Sequence, residues 1–274
     1  MALVICQFCS DDENVHLVEN LPDGRKKAEC RGCDFQWIYG EPREVEQPRV
    51  ATSTLLRGRF PKIEGVEPSM RERAEGLKRQ YLETVRRDPD PRVAPYWAKY
   101  QWIFSAQGLP SADPADLKAF ANDPTGVYSG IMTEFNKAWN ANPATGADQV
   151  RQVIEHLLRG DDASMEKRLT DLIRGQFHYS IPGFKEALLS KVLSVVFPER
   201  FLTIVTYPQK AAIAKAVYGL DLPSPDRVNW TIGRLIVWSN DLLNELTGDG
   251  FIDRPHAGDF LWWAKDQPGR PASL

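Results

Sequence analysis

The four cysteines are the residues whose spacing most clearly implies chemistry. Cys6 and Cys9 form one Cys-x-x-Cys pair, and Cys30 and Cys33 form a second pair after an interval of twenty residues. Each pair can direct two thiolates toward one point, and two pairs complete a tetrahedral S4 shell for Zn²⁺. Four thiolates leave no open coordination position, so the spacing predicts one structural zinc ion per chain.

Two other uses of paired cysteines are disulfide bonds and redox chemistry. The N-terminus lacks a secretory signal, and no apolar run is long enough to span a bilayer. We therefore expect a cytoplasmic protein with reduced thiols and no membrane partner. A redox Cys-x-x-Cys motif would need a thioredoxin-like βαβ context, which the flanking residues do not offer.

Residues 1–40 are predicted to form a small zinc ribbon. Residues 14–19 alternate like a strand, with Val15 and Leu17 on one face, and Asp23 with Gly24 is a turn signal. Residues 26–29 and 35–39 would supply the other strands. A ribbon this short has too little core to fold alone, so the metal must provide much of its stability.

A small basic cluster in the ribbon has two interpretations. Its members are Arg25, Lys26, Lys27 and Arg31. They could contact a phosphate backbone, but residues 1–40 hold seven acidic residues against these four cations. Phosphate affinity needs a net positive surface, so an offset to the metal-site charge is the favoured interpretation. Trp37 and Tyr39 could stack on a base, although such residues more often form the core of a ribbon.

Residues 41–68 have the composition of a linker, because four prolines and two glycines interrupt them. Between residues 49 and 62 the chain carries four cations and no acid. We call this set the basic arm: Arg49, Arg57, Arg59 and Lys62. It could contact phosphates, or it could be a solvated linker that docks on acidic neighbours.

Residues 69–270 are predicted to form a helical domain, with a subdivision near residue 160 as an alternative. The fold class is therefore mainly α with a small N-terminal β ribbon. Ser69 and Glu72 suggest a capping box for a helix that would end near Arg87. A second helix over residues 93–106 would place Trp97 and Tyr100 on one apolar stripe, which is typical of a core.

Apolar spacing predicts eight further helices. Ser164 and Ser224 are candidate N-caps, and Gly160, Gly175, Gly219 and Gly248 are candidate stops. The segments are 114–121, 125–139, 147–159, 164–174, 183–197, 208–218, 225–247 and 257–266. In the predicted helix over residues 183–197, five apolar residues share one face and are expected to be buried: Leu188, Leu189, Val192, Leu193 and Val196.

A search for catalytic motifs finds none of the common ones. The chain lacks a Gly-x-x-x-x-Gly-Lys-Ser/Thr loop and a Gly-x-Ser-x-Gly elbow. Its four histidines lack metal-ligand spacing. Acid pairs such as Asp113 with Asp116 sit at expected helix starts, where they complement the helix dipole. No catalytic residue is therefore assigned, and the chain is expected not to be an enzyme on its own.

The segment Ser180-Ile181-Pro182-Gly183-Phe184-Lys185 resembles the helix-hairpin-helix turn of DNA glycosylases. The resemblance implies a turn whose amides face a phosphate, with Gly183 and Lys185 as contacts. If the protein binds DNA, we expect the contact to run from the basic arm to this turn and to include Lys191. The chain departs from that family where Lys185 replaces the second hairpin glycine. It also reads Ile-Val-Thr-Tyr at residues 204–207, where those enzymes carry a catalytic Asp. The alternative is that Pro182 and Gly183 only start a buried helix.

Five stretches resemble a helical region that precedes the motor in McrBC-type restriction ATPases and related bacterial defence proteins. They are LKAFAND at 117–123, EFNKAW at 134–139, IPGFKEALLSKVLSVVFPERF at 181–201, VWSNDLL at 237–243 and DFLWWAK at 259–265. The resemblance spans roughly residues 90–267 and implies recognition of DNA or of a partner. This chain holds neither the motor nor the nuclease. Either a separately encoded protein would supply them to this chain as a targeting subunit, or the sequence is a piece of a longer protein.

Three functions therefore remain open. The first is a non-catalytic module that recognises nucleic acid in a prokaryotic defence system. The second is a protein-interaction adaptor that uses Trp262 and Trp263 as its anchor, and the third is a glycosylase- or nuclease-type enzyme. The net charge of −3 and pI near 5.9 mean that DNA contact would require a local basic patch.

Overall fold

The computed structural model describes residues 6, 9, 14–21, 25–40, 53–85, 90–160 and 163–267. The chain divides into two compact units, residues 1–50 and residues 51–274. The first unit contains a three-stranded sheet and the second is built from helices. This architecture confirms the expected mainly α fold with a small N-terminal β region.

The ribbon is an antiparallel sheet in the order β1-β2-β3. Its strands are β1 (Val15–Asn20), β2 (Lys26–Cys30) and β3 (Phe35–Tyr39). Cys30 pairs with Val15 on one side and with Phe35 on the other, and Ala28 pairs with Trp37. Because side chains alternate along a strand, these residues share one face of the sheet. Cys30, Ala28 and Trp37 are buried there with Cys6, which confirms Trp37 as core.

The helical unit contains eleven α-helices within the described residues. None of them combines the length and the apolar character needed to cross a bilayer. Two short 3-10 turns at Ile63–Gly65 and Leu109–Ser111 join consecutive helices. The helices are α1 (Ser53–Arg59), α2 (Pro68–Thr84), α3 (Val93–Ile103), α4 (Pro114–Asn122), α5 (Thr133–Ala141), α6 (Pro143–Arg159), α7 (Met165–Ile173), α8 (Glu186–Val196), α9 (Tyr207–Tyr218), α10 (Ile232–Thr247) and α11 (Arg254–Lys265).

Helices α4, α6 and α11 each begin with a polar cap followed by proline. Asp113 accepts a hydrogen bond from the Ala115 N–H at 2.7 Å, and Pro114 is the first residue of α4. Asn142 and Asp253 cap α6 and α11 in the same way. A carboxylate or amide oxygen satisfies an unpaired amide, and proline at the first helical position loses no intrahelical bond.

The linker assignment for residues 41–68 is wrong for its second half. Helix α1 and the 3-10 turn at Ile63–Gly65 occupy residues 53–65, and Leu56, Phe60 and Val66 are buried in the core of the helical unit. Apolar residues four apart on a short helix gain enough contact with the unit to order it. Residues 41–52, which include Arg49, lie outside the described residues.

Two of the expected N-caps are also wrong. Helix α2 begins at Pro68 with Glu67 as its N-cap, so Ser69 and Glu72 form no capping box there. Ser224 lies in a loop, because the Asp226 carboxylate accepts three consecutive backbone N–H groups, those of residues 228, 229 and 230. This turn delays the start of α10 to Ile232, seven residues after the expected position. Ser164, in contrast, caps α7 as expected.

The segment 125–132 is a loop and not the first half of a helix. Gly126 and Gly130 have φ angles of +72° and +86°. These left-handed conformations interrupt a helix, and glycine adopts them without steric cost. Helix α5 therefore begins only at Thr133.

One hydrophobic core runs through the helical unit. It includes Leu157 on α6 and Leu169 on α7, so no subdivision falls near residue 160. Leu188, Leu189, Val192 and Leu193 on α8 are fully buried, as predicted. Val196 is only partly buried, and its neighbour Val195 takes the core position.

Helices α7 and α10 approach each other at Gly233. A Cβ atom at Gly233 would lie 1.9 Å from the Glu166 carbonyl oxygen. The Gly233 N–H also donates to the Thr170 hydroxyl at 3.1 Å, and the Trp238 indole N–H donates to the Glu166 carboxylate at 3.2 Å. Only a residue without a side chain allows this contact, so Gly233 sets the distance between the two helices.

Gly233→Ala should lower the free energy of unfolding by about 2–3 kcal/mol, because the added methyl group must displace the α7 backbone. Gly76→Ala is a matched control within α2, since a Cβ at Gly76 would meet no atom within 4 Å. That change should raise the stability by roughly 0.5–1 kcal/mol through helix propensity alone. Urea unfolding followed by circular dichroism measures both, and equal effects would contradict close packing at Gly233.

Candidate metal centre and basic surface

The sulfur atoms of the four cysteines converge in the ribbon. All four lie within 4.8 Å of one another. The Sγ atoms of Cys6 and Cys33 are 3.7 Å apart, and those of Cys9 and Cys30 are 3.6 Å apart. A tetrahedral zinc site with Zn–S bonds of 2.3 Å has S–S edges of about 3.8 Å. The cluster therefore has the dimensions of a four-sulfur metal site, and its edges are much longer than a disulfide bond.

The second cysteine pair sits on a tight turn between β2 and β3. The Cys33 N–H donates to the Cys30 carbonyl at 3.4 Å, which turns the two thiols to the same side. Asp34 follows with a φ angle of +56°, a left-handed conformation that aspartate tolerates better than most residues. The Arg31 N–H donates to the Asn14 carbonyl at 3.0 Å and so fixes this turn to the start of β1.

Without a cation, the Cys33 thiol resists ionisation. Desolvation raises the pKa of the Cys33 thiol to about 12, and the neighbouring cysteines contribute to the rise. The Phe35 backbone amide donates to the sulfur and acts in the opposite direction. A divalent cation at the centre would reverse this balance, because metal binding stabilises thiolates directly. Four sulfur ligands would then close the coordination shell and leave no position for substrate.

The basic arm is divided between packed and exposed residues. The Arg57 guanidinium lies 5.2 Å from the Trp238 ring centre and forms an ion pair with Asp241 at 3.4 Å. Arg57 is therefore held by the helical unit, as the docking interpretation expects. Arg59 and Lys62 are exposed and form no ion pair with any residue that the structure describes. These two side chains remain available to a ligand.

The Pro182–Gly183 turn is explained by packing. The Phe184 N–H donates to the Ile181 carbonyl at 3.2 Å, and Gly183 has a φ angle of +80°, as a type II turn requires. A Cβ at Gly183 would lie 2.3 Å from the Phe135 backbone nitrogen. Helix α8 begins only at Glu186, and twelve residues separate it from α7. The turn thus serves the contact with α5, and phosphate binding is not needed to explain its glycine.

The two lysines predicted to contact phosphate in this region, Lys185 and Lys191, differ in their exposure to solvent. Lys185 is exposed, and its ammonium donates to the Ile173 carbonyl at 3.2 Å. Lys191 is fully buried, so its assignment as a nucleic-acid contact is wrong. Its ammonium donates to the Phe120 carbonyl at 2.9 Å and to the Asp123 carbonyl, at the C-terminal end of α4. There it satisfies carbonyls that the helix itself leaves unpaired.

Burial changes the titration of Lys191. Desolvation lowers its pKa to about 8, while the charge of Asp123 opposes the shift. The ammonium also lies 4.8 Å from the Phe120 ring centre, a favourable cation–π distance. Lys191 therefore stabilises the end of α4 and does not face solvent.

A second buried lysine was missed by sequence reasoning. Lys210 on α9 is enclosed by the core, and desolvation lowers its pKa to about 8, opposed by the charge of Glu186. The Lys210 ammonium donates to the Ile236 carbonyl at 3.1 Å, and the Glu186 carboxylate accepts the Tyr207 N–H. Burial raises the pKa of Glu186. Lys210 precedes the buried residues Ala214 and Val217 by four and seven positions, so it lies on the same face of α9. This helical spacing in the sequence was the signal that could have predicted its burial.

The position that carries a catalytic Asp in DNA glycosylases has a structural role here. Thr206 is the N-cap of α9 and forms a capping box with Gln209. The Thr206 hydroxyl accepts an amide of the first turn, and the Gln209 side chain accepts the Thr206 N–H at 3.2 Å. This arrangement stabilises a helix start and offers no acid or base for catalysis.

Comparison with protein-family models, with curated proteins and with solved structures finds no match for this chain. The resemblance to McrBC-type proteins therefore stays a prediction from the five stretches. Within one of these stretches, Asn240 has a clear structural role. Its side chain accepts the Leu202 N–H at 3.0 Å and donates to the Arg200 carbonyl at 2.9 Å.

Lys191→Met should lower the free energy of unfolding by about 2 kcal/mol, because two buried carbonyls lose their donor while the apolar volume is kept. The matched control is Lys118→Met on α4, whose exposed ammonium bonds to Asn140 at the surface. That change should stay within about 0.5 kcal/mol of wild type. Urea denaturation measures both, and an unchanged midpoint for Lys191→Met would contradict its role at the end of α4.

Proposed function

We propose that this protein is a non-catalytic recognition module, in which one structural zinc ion folds the ribbon and the helical unit binds duplex DNA. The convergence of the four cysteine sulfur atoms at the edge lengths of a tetrahedral site carries the zinc part of this proposal. The DNA part rests on the exposed cations of the helical unit. The motor or nuclease of a restriction-like system would be a separate protein.

Zinc is the metal that suits this donor set best. Thiolates are soft ligands, and a tetrahedral S4 site selects Zn²⁺ or an iron centre. Two Cys-x-x-Cys turns on a small antiparallel sheet are typical of structural zinc ribbons. The buried core of the ribbon consists of Cys6, Ala28, Cys30 and Trp37, two of which are ligands. So small a core leaves most of the folding free energy to the metal.

Purified protein should contain one equivalent of zinc by elemental analysis, with no visible absorption from iron. Cys30→Ser should lose the metal and unfold the ribbon, but keep the helical circular dichroism, because the helical unit has its own core. Arg31→Ser is a matched control in the same turn, since Arg31 is exposed and its side chain is not a ligand. Zinc retained at full stoichiometry by Cys30→Ser would argue against the S4 site.

Two of the exposed cations available for DNA, Lys62 and Lys185, lie near the two ends of α7. Lys62 lines a cleft that is also lined by Glu166, a residue in the first turn of α7. Lys185 bonds to the carbonyl of Ile173, the last residue of α7. Seven residues of helix separate Glu166 from Ile173, a rise of about 10 Å. A duplex that lies along α7 could therefore contact Lys62 of the basic arm and Lys185 beside the Pro182–Gly183 turn at the same time.

The triple variant Arg59→Ala, Lys62→Ala, Lys185→Ala should weaken duplex DNA binding alike for all sequences. Each lost phosphate contact should reduce the slope of log affinity against log salt by roughly 0.9. Any base preference should persist, because phosphate contacts position a protein without reading sequence. Fluorescence anisotropy over a salt series measures the affinity and the slope.

The control for this experiment is a second triple variant, in which Lys99, Lys137 and Lys215 become Ala. These exposed lysines lie on α3, α5 and α9, and the change removes the same total charge. An equal loss of affinity in both variants would indicate a general charge effect. An unchanged slope in the first variant, or no binding by wild-type protein, would exclude this DNA surface.

Protein interaction is the second candidate function, and a specific group of side chains favours it. Tyr128, Ile131 and Ile252 are large apolar residues with exposed fractions of 67%, 86% and 61%. Trp262 and Trp263, the anchor suggested by the sequence, are only partly exposed and pack against the core. An adaptor surface would therefore lie at the 123–132 loop and the start of α11. Failure of the DNA experiment would leave this as the favoured function.

A further inference from the structure

The connection between α7 and α8, residues 174–185, carries three consecutive aromatic residues. The ring centres of Phe177 and His178 are 5.2 Å apart, and those of His178 and Tyr179 are 3.9 Å apart. Phe177 also stacks on His156 of α6 at 4.3 Å, with only 13° between the two planes. His178 and Tyr179 are exposed, Tyr179 by 40%. Two exposed rings are thus anchored on a packed pair beneath them.

Local hydrogen bonds fix the backbone that carries these rings. The Gln176 N–H donates to the Asp171 carbonyl at 2.8 Å, across the end of α7. The Ser180 N–H donates to the Phe177 carbonyl at 3.0 Å, and the Ser180 hydroxyl donates to the same carbonyl at 2.6 Å. Because the backbone is already ordered, a flat ligand that stacks on the exposed rings costs little conformational entropy.

Three exposed cations lie in this connection or in the loop that contacts it. The Lys185 ammonium donates to the Ile173 carbonyl at 3.2 Å and has two further N–H donors. The Arg174 guanidinium donates to the carbonyls of Asp226 and Arg227, which joins the loop before α10 to the connection. Arg227 is exposed, and its side chain forms no ion pair with a residue that the structure describes.

The carboxylates nearest to these cations along the chain already have partners. Asp171 forms an ion pair with Lys167 at 2.6 Å. Asp226 accepts three consecutive backbone N–H groups, whose dipoles offset its charge. Glu186 accepts the Tyr207 N–H at the start of α9. Within the described part of the chain, the connection therefore combines cationic side chains with exposed aromatic faces.

The rings and the cations are close enough to contact one strand. The Lys185 ammonium contacts Ile173, which is four residues before Phe177. The Cα atoms of Ile173 and Phe177 therefore lie within about 14 Å of each other, even for a fully extended chain. That distance corresponds to roughly four stacked nucleotides at about 3.4 Å each.

We infer that this surface binds an unpaired strand of DNA. The bases stack on His178 and Tyr179, which suits every base because each has a π face. The phosphates contact Lys185 and Arg227. The inference rests on the proposed DNA binding and deepens it. Lys185 lies at one end of the duplex surface along α7, so a single strand that extends the duplex would reach the rings.

Matched DNA probes separate stacking from phosphate contact. One is a blunt duplex, and the others are the same duplex with a single-stranded extension of four thymidines or of four abasic residues of equal charge. Extensions at the 5′ and 3′ ends are tested separately, and fluorescence anisotropy measures each Kd at one salt concentration. The thymidine extension at one of the ends should give a Kd at least about fivefold lower than the abasic extension there.

Variants assign this gain to the connection. Tyr179→Ala should abolish the difference between thymidine and abasic extensions, whereas Tyr179→Phe should keep it, because both rings stack. Tyr128→Ala is the matched control, since Tyr128 is an exposed tyrosine of another loop. Arg227→Ala should reduce the salt slope for free octathymidylate by roughly 0.7. Lys137→Ala, an exposed cation on α5, should leave that slope unchanged.

The outcomes distinguish this inference from duplex binding. Blunt-duplex binding with no gain from either thymidine extension, or a gain that persists in Tyr179→Ala, overturns the inference and leaves the proposed function intact. Octathymidylate binding that is lost in Tyr179→Ala, without binding of the blunt duplex, supports the inference and excludes the duplex surface. Absence of binding by every probe excludes both. A thermal melt of each variant separates loss of binding from loss of folding.

Discussion

The close approach of α7 and α10 at Gly233 is the contact on which the arrangement of the helical unit depends. The missing side chain lets the α7 backbone sit against α10, and the Thr170 hydroxyl and the Glu166 carboxylate each bond across the contact. Trp238, fixed in this way, then provides the surface that receives Arg57. Helix α1 is therefore ordered by a contact between two helices that lie far from it in sequence. The same contact positions the exposed cations of the basic arm, Arg59 and Lys62.

The two units obtain their stability from different sources. In the ribbon, the buried core of four described residues includes two of the four clustered cysteines, so the same residues serve packing and the candidate metal site. The helical unit has a continuous apolar core and also buries the charged ends of Lys191 and Lys210. Each ammonium is directed at backbone carbonyls, which compensate part of the cost of desolvation. Lys191 thereby fixes the end of α4, and Lys210 joins α9 to α10, so both favour one packing arrangement over its alternatives.

The parts of the fold that the sequence predicts are those governed by local rules. Cysteine pairs on tight turns need only a few residues to define a coordination site, and Ser164 caps its helix with a bond three residues along the chain. The site beyond the cysteines depends on distant contacts, and there the predictions fail. Nothing near Lys191 in sequence shows that the end of α4 will enclose it. Likewise, the prolines around α1 suggest a linker until Leu56 and Phe60 meet the core.

Loops were the other source of error, and their cause is specific. Asp226 collects three backbone amides in one turn, and Gly126 and Gly130 hold left-handed conformations. Both devices stop helices whose apolar spacing would otherwise continue. The second of these loops also lines a cleft beside α3 and the start of α11.

The enclosure of Lys191 and Lys210 has a consequence for the chemical reactivity of the protein. Reagents that acylate amines require access to the nitrogen, so surface lysines will react while these two are shielded by the core. Their reaction must await opening of the unit, because neither ammonium reaches solvent in the folded chain. Peptide mapping after timed acylation would therefore measure two opening rates separately. Lys191 reports opening at the end of α4, and Lys210 reports opening at the first turn of α9.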